Sequence, residues 1–333
     1  MSEGFTIRRK LIFSLLPLLA IVVAAEIAFR VVGVRRPARP AIVARHIDID
    51  VEFPFMRADR ELFWSLVPGF RGEFWDRPVT INQLAMRGPE LQSPKSPERK
   101  RVVFFGDSIT FGYGVGDDET YAHLFGERVE SLGVEAVNAG VTGFTSFQVS
   151  RWLQRLAPDL AADIAVFCIG WNDSTLRTTN DRGYARRMWV ATAGRWLTDY
   201  SYIYRAAMGA YLRSLDGERK QERTVNRVSL ADYEANLEAI IAFCRQREIT
   251  PVFIDLPRRK RAGVVHEPPP YRGAMSAVAS AADVPVVSAF DLGFQTTLES
   301  NAHYFIDSLH FSPEGHAYLA ARLEEALVRL GLL

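Results

Sequence analysis

The chain has 333 residues, enough for one large α/β domain with extensions or for two smaller domains. Its 48% hydrophobic and 24% charged residues are the proportions of a folded protein, which excludes disorder over most of its length. A formal net charge of +1 gives no electrostatic reason to expect nucleic acid as a partner, and two cysteines cannot build a disulfide framework.

The first predicted element is an apolar run. Arg8, Arg9 and Lys10 precede residues 11–25, which are interrupted only by Ser14 and Pro17. Extended to Val34, the run reaches about 36 Å at ~1.5 Å per helical residue, enough to cross a bilayer. Glu26 and Arg30 stand four residues apart and can pair on one helix face. An uncleaved membrane anchor is the favoured reading. A signal peptide cut after Val23-Ala24-Ala25 and a buried or interfacial helix are the alternatives. Arg35, Arg36 and Arg39 follow the run, so charge alone does not orient it. The short basic head is similar to a Sec-type export signal, with the head inside and the main domain outside the cytoplasm.

Residues 35–46, RRPARPAIVARH, read as an extended linker because prolines fix φ and remove backbone donors. Phe53, Phe55, Phe63, Trp64, Phe70, Phe74 and Trp75, punctuated by Pro68-Gly69, predict a packed, irregular or β-rich lead-in. Its simplest role is to cover one edge of the main domain; a share in a substrate groove is the sharper alternative. Residues 92–100, QSPKSPERK, form a polar hinge.

From Arg101 onwards short apolar runs alternate with longer amphipathic ones. Strands are predicted at 101–105, 135–138, 164–169, 251–255 and 284–287, with helices at 119–132, 146–156, 230–247, 271–282 and 313–330. That alternation predicts a parallel sheet covered on both faces. Ser229 with Asp232, and Ser312 with Pro313, mark helix starts. Between Asn172 and Leu230 lies an excursion longer than an ordinary crossover, helical over 198–213. The expected organisation is an anchor at 1–34, a linker and lead-in at 35–100, and a main domain at 101–333 with a helical excursion at about 175–229.

The residues able to carry chemistry fall at the ends of these strands. The first strand runs into Gly106-Asp107-Ser108, where a parallel sheet presents ligands outside its carboxyl edge. Alone, that turn reads equally well as a helix cap made by Asp107 or Ser108. The second strand ends in Asn138-Ala139-Gly140, where backbone can approach a ligand closely. The third ends in Gly170-Trp171-Asn172-Asp173, which supplies a side-chain amide. Of six histidines, only His310 has a carboxylate, Asp307, three residues before it in a segment leading into a helix. Asp307 can then hold one ring nitrogen while the other faces a serine. Each piece has an ordinary structural reading as a turn residue, a cap or a surface histidine. In a doubly wound sheet, however, all four positions converge on one rim. Residues 112–116 lack the Lys-Ser/Thr of a phosphate loop and read as a flexible loop beside Ser108. Residues 258–261 read as a solvated basic loop.

These blocks, in this order, resemble the SGNH, or GDSL, hydrolase superfamily: Gly106-Asp107-Ser108, then Gly140, then Asn172, then Asp307-Ser308-Leu309-His310. The likeness runs from Arg101 to the carboxyl terminus, about 70% of the chain. Val79-Thr80-Ile81-Asn82 and Met86-Arg87-Gly88-Pro89-Glu90 resemble the lead-in of bacterial membrane-anchored members. Gln83-Leu84-Ala85 stands where that lead-in more usually carries a small residue and a glycine.

The resemblance implies a flavodoxin-like three-layer α/β/α sandwich around a five-stranded parallel sheet, with no cofactor and no metal. It implies that Ser108 attacks an ester carbonyl, His310 takes its proton and Asp307 orients His310. The backbone amides of Ser108 and Gly140 and the side-chain amide of Asn172 would form the oxyanion hole. The GDS context, rather than a strained GxSxG elbow, argues against an α/β-hydrolase. The protein expected is a membrane-anchored, extracytoplasmic serine esterase acting on O-acetyl or other short acyl esters of a glycan or a lipid. Two further readings stay open: an O-acyltransferase acting on a cell-surface polysaccharide with the same triad, and a non-catalytic carbohydrate-binding or scaffold protein on the same fold.

Overall fold

The structure, a computed structural model, describes residues 7–33, 53–192, 197–217, 224–260, 263–265, 269–288 and 302–333; the linker expected at 35–46 lies outside the described residues. The amino-terminal apolar run forms one helix, α1 (Ile7–Val32), with Pro17 inside it. Its segment Leu15–Val32 is long and apolar enough to cross a membrane, and none of it is buried. An anchor and a signal peptide both satisfy that description.

The aromatic lead-in forms two antiparallel hairpins, β1–β2 (Met56–Asp59, Phe63–Leu66) and β3–β4 (Arg71–Phe74, Arg77–Thr80). Phe55, Phe63 and Trp64 are fully buried, and Phe55 stacks on Phe111 with ring centroids 5.0 Å apart. Each such side chain contributes roughly 1.5–3 kcal/mol when taken out of water, which fastens the hairpins to the domain.

The alternating region begins with β5 (Lys100–Gly106), α2 (Ser108–Phe111), α3 (Tyr121–Val129), β6 (Val134–Gly140), α4 (Ser146–Leu160) and β7 (Ile164–Cys168). A short antiparallel pair, β8 (Leu176–Arg177) with β9 (Val225–Asn226), brings together the two ends of the excursion. The excursion itself holds α5 (Asp181–Thr192), α6 (Leu197–Tyr200) and α7 (Tyr202–Gly217). The chain then continues through α8 (Leu230–Gln246), β10 (Thr250–Ile254), the small pair β11–β12 (Arg258–Lys260, Gly263–Val265) and α9 (Pro269–Ala281). It finishes with β13 (Val286–Val287) and α10 (Pro313–Arg329).

Five parallel strands stand in the order β6-β5-β7-β10-β13. In order of appearance this is 2-1-3-4-5, the flavodoxin-like doubly wound arrangement, with its switch point beside β5. β5 is buried from Arg101 to Gly106, as a strand covered on both faces must be. Phe104 meets Phe125 and Tyr121 of α3 at 5.1 and 5.3 Å, while Phe105 stacks on Phe167 at 5.3 Å. Successive residues thus face opposite sides of the sheet. α3 packs with α10, and α8 packs with both α4 and α9.

The helix expected over 119–132 is divided. A 3-10 turn at Asp117–Glu119 precedes α3 and another at Glu130–Leu132 follows it. The hydroxyl of Thr120 accepts the His123 N–H and sets the start of α3. Ser229 and Ser312 cap α8 and α10 in the same way. The last strand covers two residues of the four expected.

Residues 1–42 and 186–222 form a compact unit of their own, apart from 43–185 with 223–333. Within it α1 packs on α7. The helix expected over 198–213 is broken at Ser201 into α6 and α7. The Glu26–Arg30 pair is present at 3.1 Å. The Glu26 carboxylate also accepts hydrogen bonds from Tyr202 N (2.8 Å), Ile203 N (3.1 Å) and Ser201 Oγ (3.0 Å). Those amides open α7 and have no partner within their helix, and a carboxylate is favoured at that positive end.

In the main unit, His316 of α10 is buried, and its Nδ1 accepts the Tyr121 N–H at 3.1 Å. Burial, with the positive charges of Arg87 and His310, pushes its pKa down from the ordinary 6.5 to about 3. As pH falls below 6.5 the unfolded chain takes up this proton and the folded chain does not, so stability is lost progressively towards pH 3. We expect the melting temperature to fall across that window. His316→Gln should flatten the pH slope while costing about 1–3 kcal/mol at neutral pH; an unchanged slope in that variant would assign the acid sensitivity to other groups.

Candidate active site

The site is built on the carboxyl end of β5. Gly106 leaves no room for a side chain, since a Cβ there would lie 2.2 Å from Thr110 Oγ1 and 2.7 Å from the Cys168 carbonyl oxygen. Oδ1 of Asp107 accepts the Ile109 N–H at 2.9 Å and caps α2. The capping turn is therefore real, and Asp107 makes it. Ser108 becomes the first residue of α2, where a backbone N–H has no intrahelical partner.

Ser108 Oγ lies 2.8 Å from His310 Nε2, and His310 Nδ1 lies 2.7 Å from Asp307 Oδ2. Asp307 Oδ1 accepts the backbone N–H groups of Leu309 (2.6 Å) and His310 (2.7 Å), so the turn that carries the histidine also fixes its carboxylate. The turn is closed by the Ile306 N–H donating to the His310 carbonyl (3.0 Å) and by the bridge between Phe305 and Phe311. Burial alone would raise the Asp307 pKa. Hydrogen bonds from the His310 ring and the two amides instead hold it at about 2, so it is ionised at neutral pH. With the Nδ1 proton directed at that carboxylate, Nε2 is left to accept from the serine hydroxyl.

Gly140 ends β6 directly against α2: a Cβ there would lie 2.4 Å from Phe111 N and 2.6 Å from Thr110 C. Its N–H donates to Asn138 Oδ1 at 3.0 Å, and Asn138 Nδ2 donates to the Thr110 carbonyl at 2.8 Å. Asn172 follows β7, and its Nδ2 donates to Asp107 Oδ2 and to the Phe144 carbonyl, both at 3.0 Å. Burial pushes the Asp107 carboxyl up to about 6, against the hydrogen bond from Ile109 and the charge of His310. The fold thus draws Ser108, His310 and Asp307 into one hydrogen-bonded line. It sets Gly140 against the backbone of α2 and joins Asn172 to Asp107, with the N–H groups of both engaged by neighbouring oxygens.

Three features escaped sequence reasoning. Arg87, 4% exposed, sends Nη1 to the carbonyls of Phe111 (2.8 Å) and Gly112 (2.6 Å). Its Nη2 reaches the carbonyls of Val115 (2.7 Å) and Pro78 (3.2 Å), and its Nε reaches Asp117 Oδ1 (2.9 Å). Tyr113 lays its ring 4.4 Å from that of His310. The third is a fully buried pair, Arg227 and Asp181, joined at 3.1 Å. Arg227 Nη1 holds the Gly143 carbonyl (2.7 Å) and Asp181 Oδ2 accepts from Thr145 Oγ1 (2.7 Å), fixing the loop after Gly140. The only traces in the sequence were the Met86–Glu90 likeness for Arg87 and the loop beside Ser108 for Tyr113; nothing local marked the Arg227–Asp181 pair.

Among the described residues no group of three His, Cys, Asp or Glu side chains is placed to hold a metal ion. What the arrangement provides is a hydroxyl, a base in contact with it and a carboxylate orienting the base, the equipment of acyl transfer through a serine nucleophile.

The GDSL-like Lipase/Acylhydrolase family profile matches residues 104–318, nearly two thirds of the chain. Among solved structures, the chain is similar to a lipase/acylhydrolase from Enterococcus faecalis, with 19% identity over 68% of this chain and 95% of that one and a TM-score of 0.44. It is also similar to a psychrotrophic esterase from a Pseudoalteromonas species, with 12% identity over 69% of this chain and 98% of that one and a TM-score of 0.45. No curated protein sequence matches the chain.

Arg87 supplies the cation for Asp117 and the donors for four carbonyls, so its loss strands several buried groups at once. Removing one partner of such a buried network costs about 3–5 kcal/mol. We expect Arg87→Met to lower unfolding free energy in urea by that amount; a loss below about 1 kcal/mol would mean that water replaces the guanidinium without penalty.

Proposed function

Since the chain belongs to the GDSL-like lipase/acylhydrolase family and is an ester-hydrolysing enzyme, we propose that it is a serine esterase that removes short acyl groups, O-acetyl above all, through Ser108, His310 and Asp307. The observation that carries this reading is the 2.8 Å contact between Ser108 Oγ and His310 Nε2, made across 202 positions of sequence.

The reaction follows from that contact. Oγ attacks the ester carbonyl carbon as its proton passes to Nε2, and the carbonyl electron pair moves onto oxygen. Collapse of the tetrahedral intermediate breaks the bond to the alcohol, and the imidazolium gives its proton to the departing oxygen. Water then attacks the acyl-serine by the same route, yielding the acid and restoring the hydroxyl. Asp307 keeps its charge throughout and stabilises the imidazolium.

The negative oxygen would be received by the backbone N–H of Ser108, the N–H of Gly140 and Nδ2 of Asn172. In the resting state Gly140 donates to Asn138 Oδ1, and one Asn172 proton goes to the Phe144 carbonyl. Both acceptors are neutral oxygens. An oxyanion is the stronger acceptor, so these donors turn to it as charge develops. Each such donor is worth roughly 2.7–4 kcal/mol in the transition state. The second Asn172 proton stays on Asp107, which keeps the amide aimed.

α1 would hold the enzyme in a membrane, with the hydrolase domain outside the cytoplasm. The length and apolar character of Leu15–Val32 support the membrane-spanning helix, and the short basic head before it supports the orientation.

Membranes carrying the full-length protein should therefore hydrolyse ethyl acetate and keep the protein through alkaline extraction. Ser108→Ala and His310→Ala should each lower kcat at least about 1,000-fold and to similar extents, because the two residues act as a unit. Equal rates in wild type and both variants would reject the mechanism, and release of the chain by alkali would reject the anchor. A sugar hydroxyl in place of water would convert the same acyl-enzyme into a transferase, which acylated sugar among the products would reveal.

A further inference from the structure

We propose that Trp75, Tyr113 and Ile306 form a subsite for the alcohol portion of the ester, and that this alcohol is a sugar of a glycan. The inference rests on the esterase reading above and concerns what that site holds.

Direction comes first. His310 must hand its proton to the departing oxygen, so the alcohol lies on the histidine side of Ser108 while the carbonyl oxygen faces the oxyanion donors. On the histidine side the rings are continuous. Tyr113 lies 4.4 Å from the His310 ring at an interplanar angle of 32°. Trp75 meets Tyr113 edge-on at 4.8 Å and 74°. A group resting on Trp75 is one ring removed from the base.

The way Trp75 is held points the same way. Phe74 pairs with Arg77 across the β3–β4 hairpin, which leaves Trp75 and Asp76 as its two turn residues. Both are left-handed, with φ of 53° and 58°. Hairpin turns of this kind favour Asn and Gly, because a larger residue crowds its own backbone there. Phe74 is buried and stacks on the indole at 5.3 Å and 13°, covering one face. Trp75 is nevertheless 55% exposed, so much of the indole faces solvent. Residues kept in such conformations cluster where a site uses them.

Ile306, 42% exposed and next to Asp307, completes the patch. Gly114, at φ of 86°, brings the loop close to both, since a Cβ there would lie 2.5 Å from Ile306 Cδ1 and 3.7 Å from the Trp75 ring.

The chemistry of the rim selects the occupant. Asp76 and Arg77 follow Trp75 in the chain and are exposed, as is Asp307 beside Ile306; Arg77 pairs with Glu119 at 2.9 Å and Asp307 with His310 at 2.7 Å. A pyranose presents polarised C–H bonds to the negative face of an aromatic ring and hydroxyls to charged neighbours at its edge. An alkyl chain would instead desolvate those charges without replacing their hydrogen bonds.

The test compares partially O-acetylated oligosaccharides of glucose, mannose, galactose and N-acetylglucosamine with ethyl acetate, using the full-length protein in detergent. For at least one sugar series, Trp75→Ala should lower kcat/KM relative to that for ethyl acetate at least ten-fold, mainly through KM, and Trp75→Phe should restore part of the ratio. An unchanged ratio for every sugar would overturn the proposal, as would a selective loss on p-nitrophenyl decanoate, which would mark an acyl-chain site. If the wild type cleaved no ester, the esterase reading would fail on its own, and binding would judge the subsite. Ser108→Ala protein titrated with the unesterified oligosaccharides should give a saturable change in indole fluorescence that Trp75→Phe abolishes. No saturable change with any of them would overturn the subsite.

Discussion

The helix that carries Ser108 has four residues, too few to hold its own shape, and the guanidinium of Arg87 completes its carboxyl end. A cation is favoured there because the last carbonyls of a helix are unpaired and carry partial negative charge. Arg87 also gathers Val115, Pro78 and Asp117, so one side chain ties the lead-in, the helix of Ser108 and the loop that carries Tyr113 together. At the other end Asp107 caps the same helix, and below it Gly106 and Gly140 let its backbone sit directly on two strands. The direction of the Ser108 hydroxyl is the resultant of these four constraints.

Buried charge recurs around the site. Asp181 and Arg227 hold the loop after Gly140, and Asp173 accepts both the N–H and the hydroxyl of Ser146 at the start of α4. Burial pushes the Asp173 carboxyl up to about 7, in spite of the Ser146 hydrogen bonds. Taking such groups out of water is costly, and apolar packing of the same volume is often as stable. What they provide is a fixed geometry for the loop after Gly140 and the start of α4, since their hydrogen bonds tie these segments together. At the rim, Asp307 is half exposed and is governed by its own turn.

The sheet was legible in the sequence because alternation of short apolar runs and longer amphipathic ones reports burial directly. Ser108, His310 and Asp307 were legible because each stands at a strand end or before a capped helix. Partners were not legible. Periodicity marks the helix that carries Glu26 and is lacking around Arg87, and it says nothing of a donor 176 positions from Glu26 or an acceptor 24 positions from Arg87. Nor did it show that Gly140 and Asn172 already have acceptors in Asn138, Asp107 and Phe144. Ala85 is an instructive departure. It adopts φ of 59°, the left-handed conformation that glycine takes freely, at the position where the resembling lead-ins more usually carry a small residue and a glycine. Asn82 secures that turn by accepting the N–H groups of Leu84 and Met86, both at 3.0 Å, just ahead of Arg87 and its bonds to the helix of Ser108.

The claim on which the account stands is that His310 makes Ser108 a nucleophile. A fluorophosphonate tests it directly, because it bonds to an activated serine oxygen and leaves others untouched. After incubation of the full-length protein, peptide mass spectrometry should find one phosphonylated residue, Ser108, with labelling slowed at least about 100-fold in His310→Ala. An unmodified Ser108, or a variant labelled as fast as the wild type, would contradict the account.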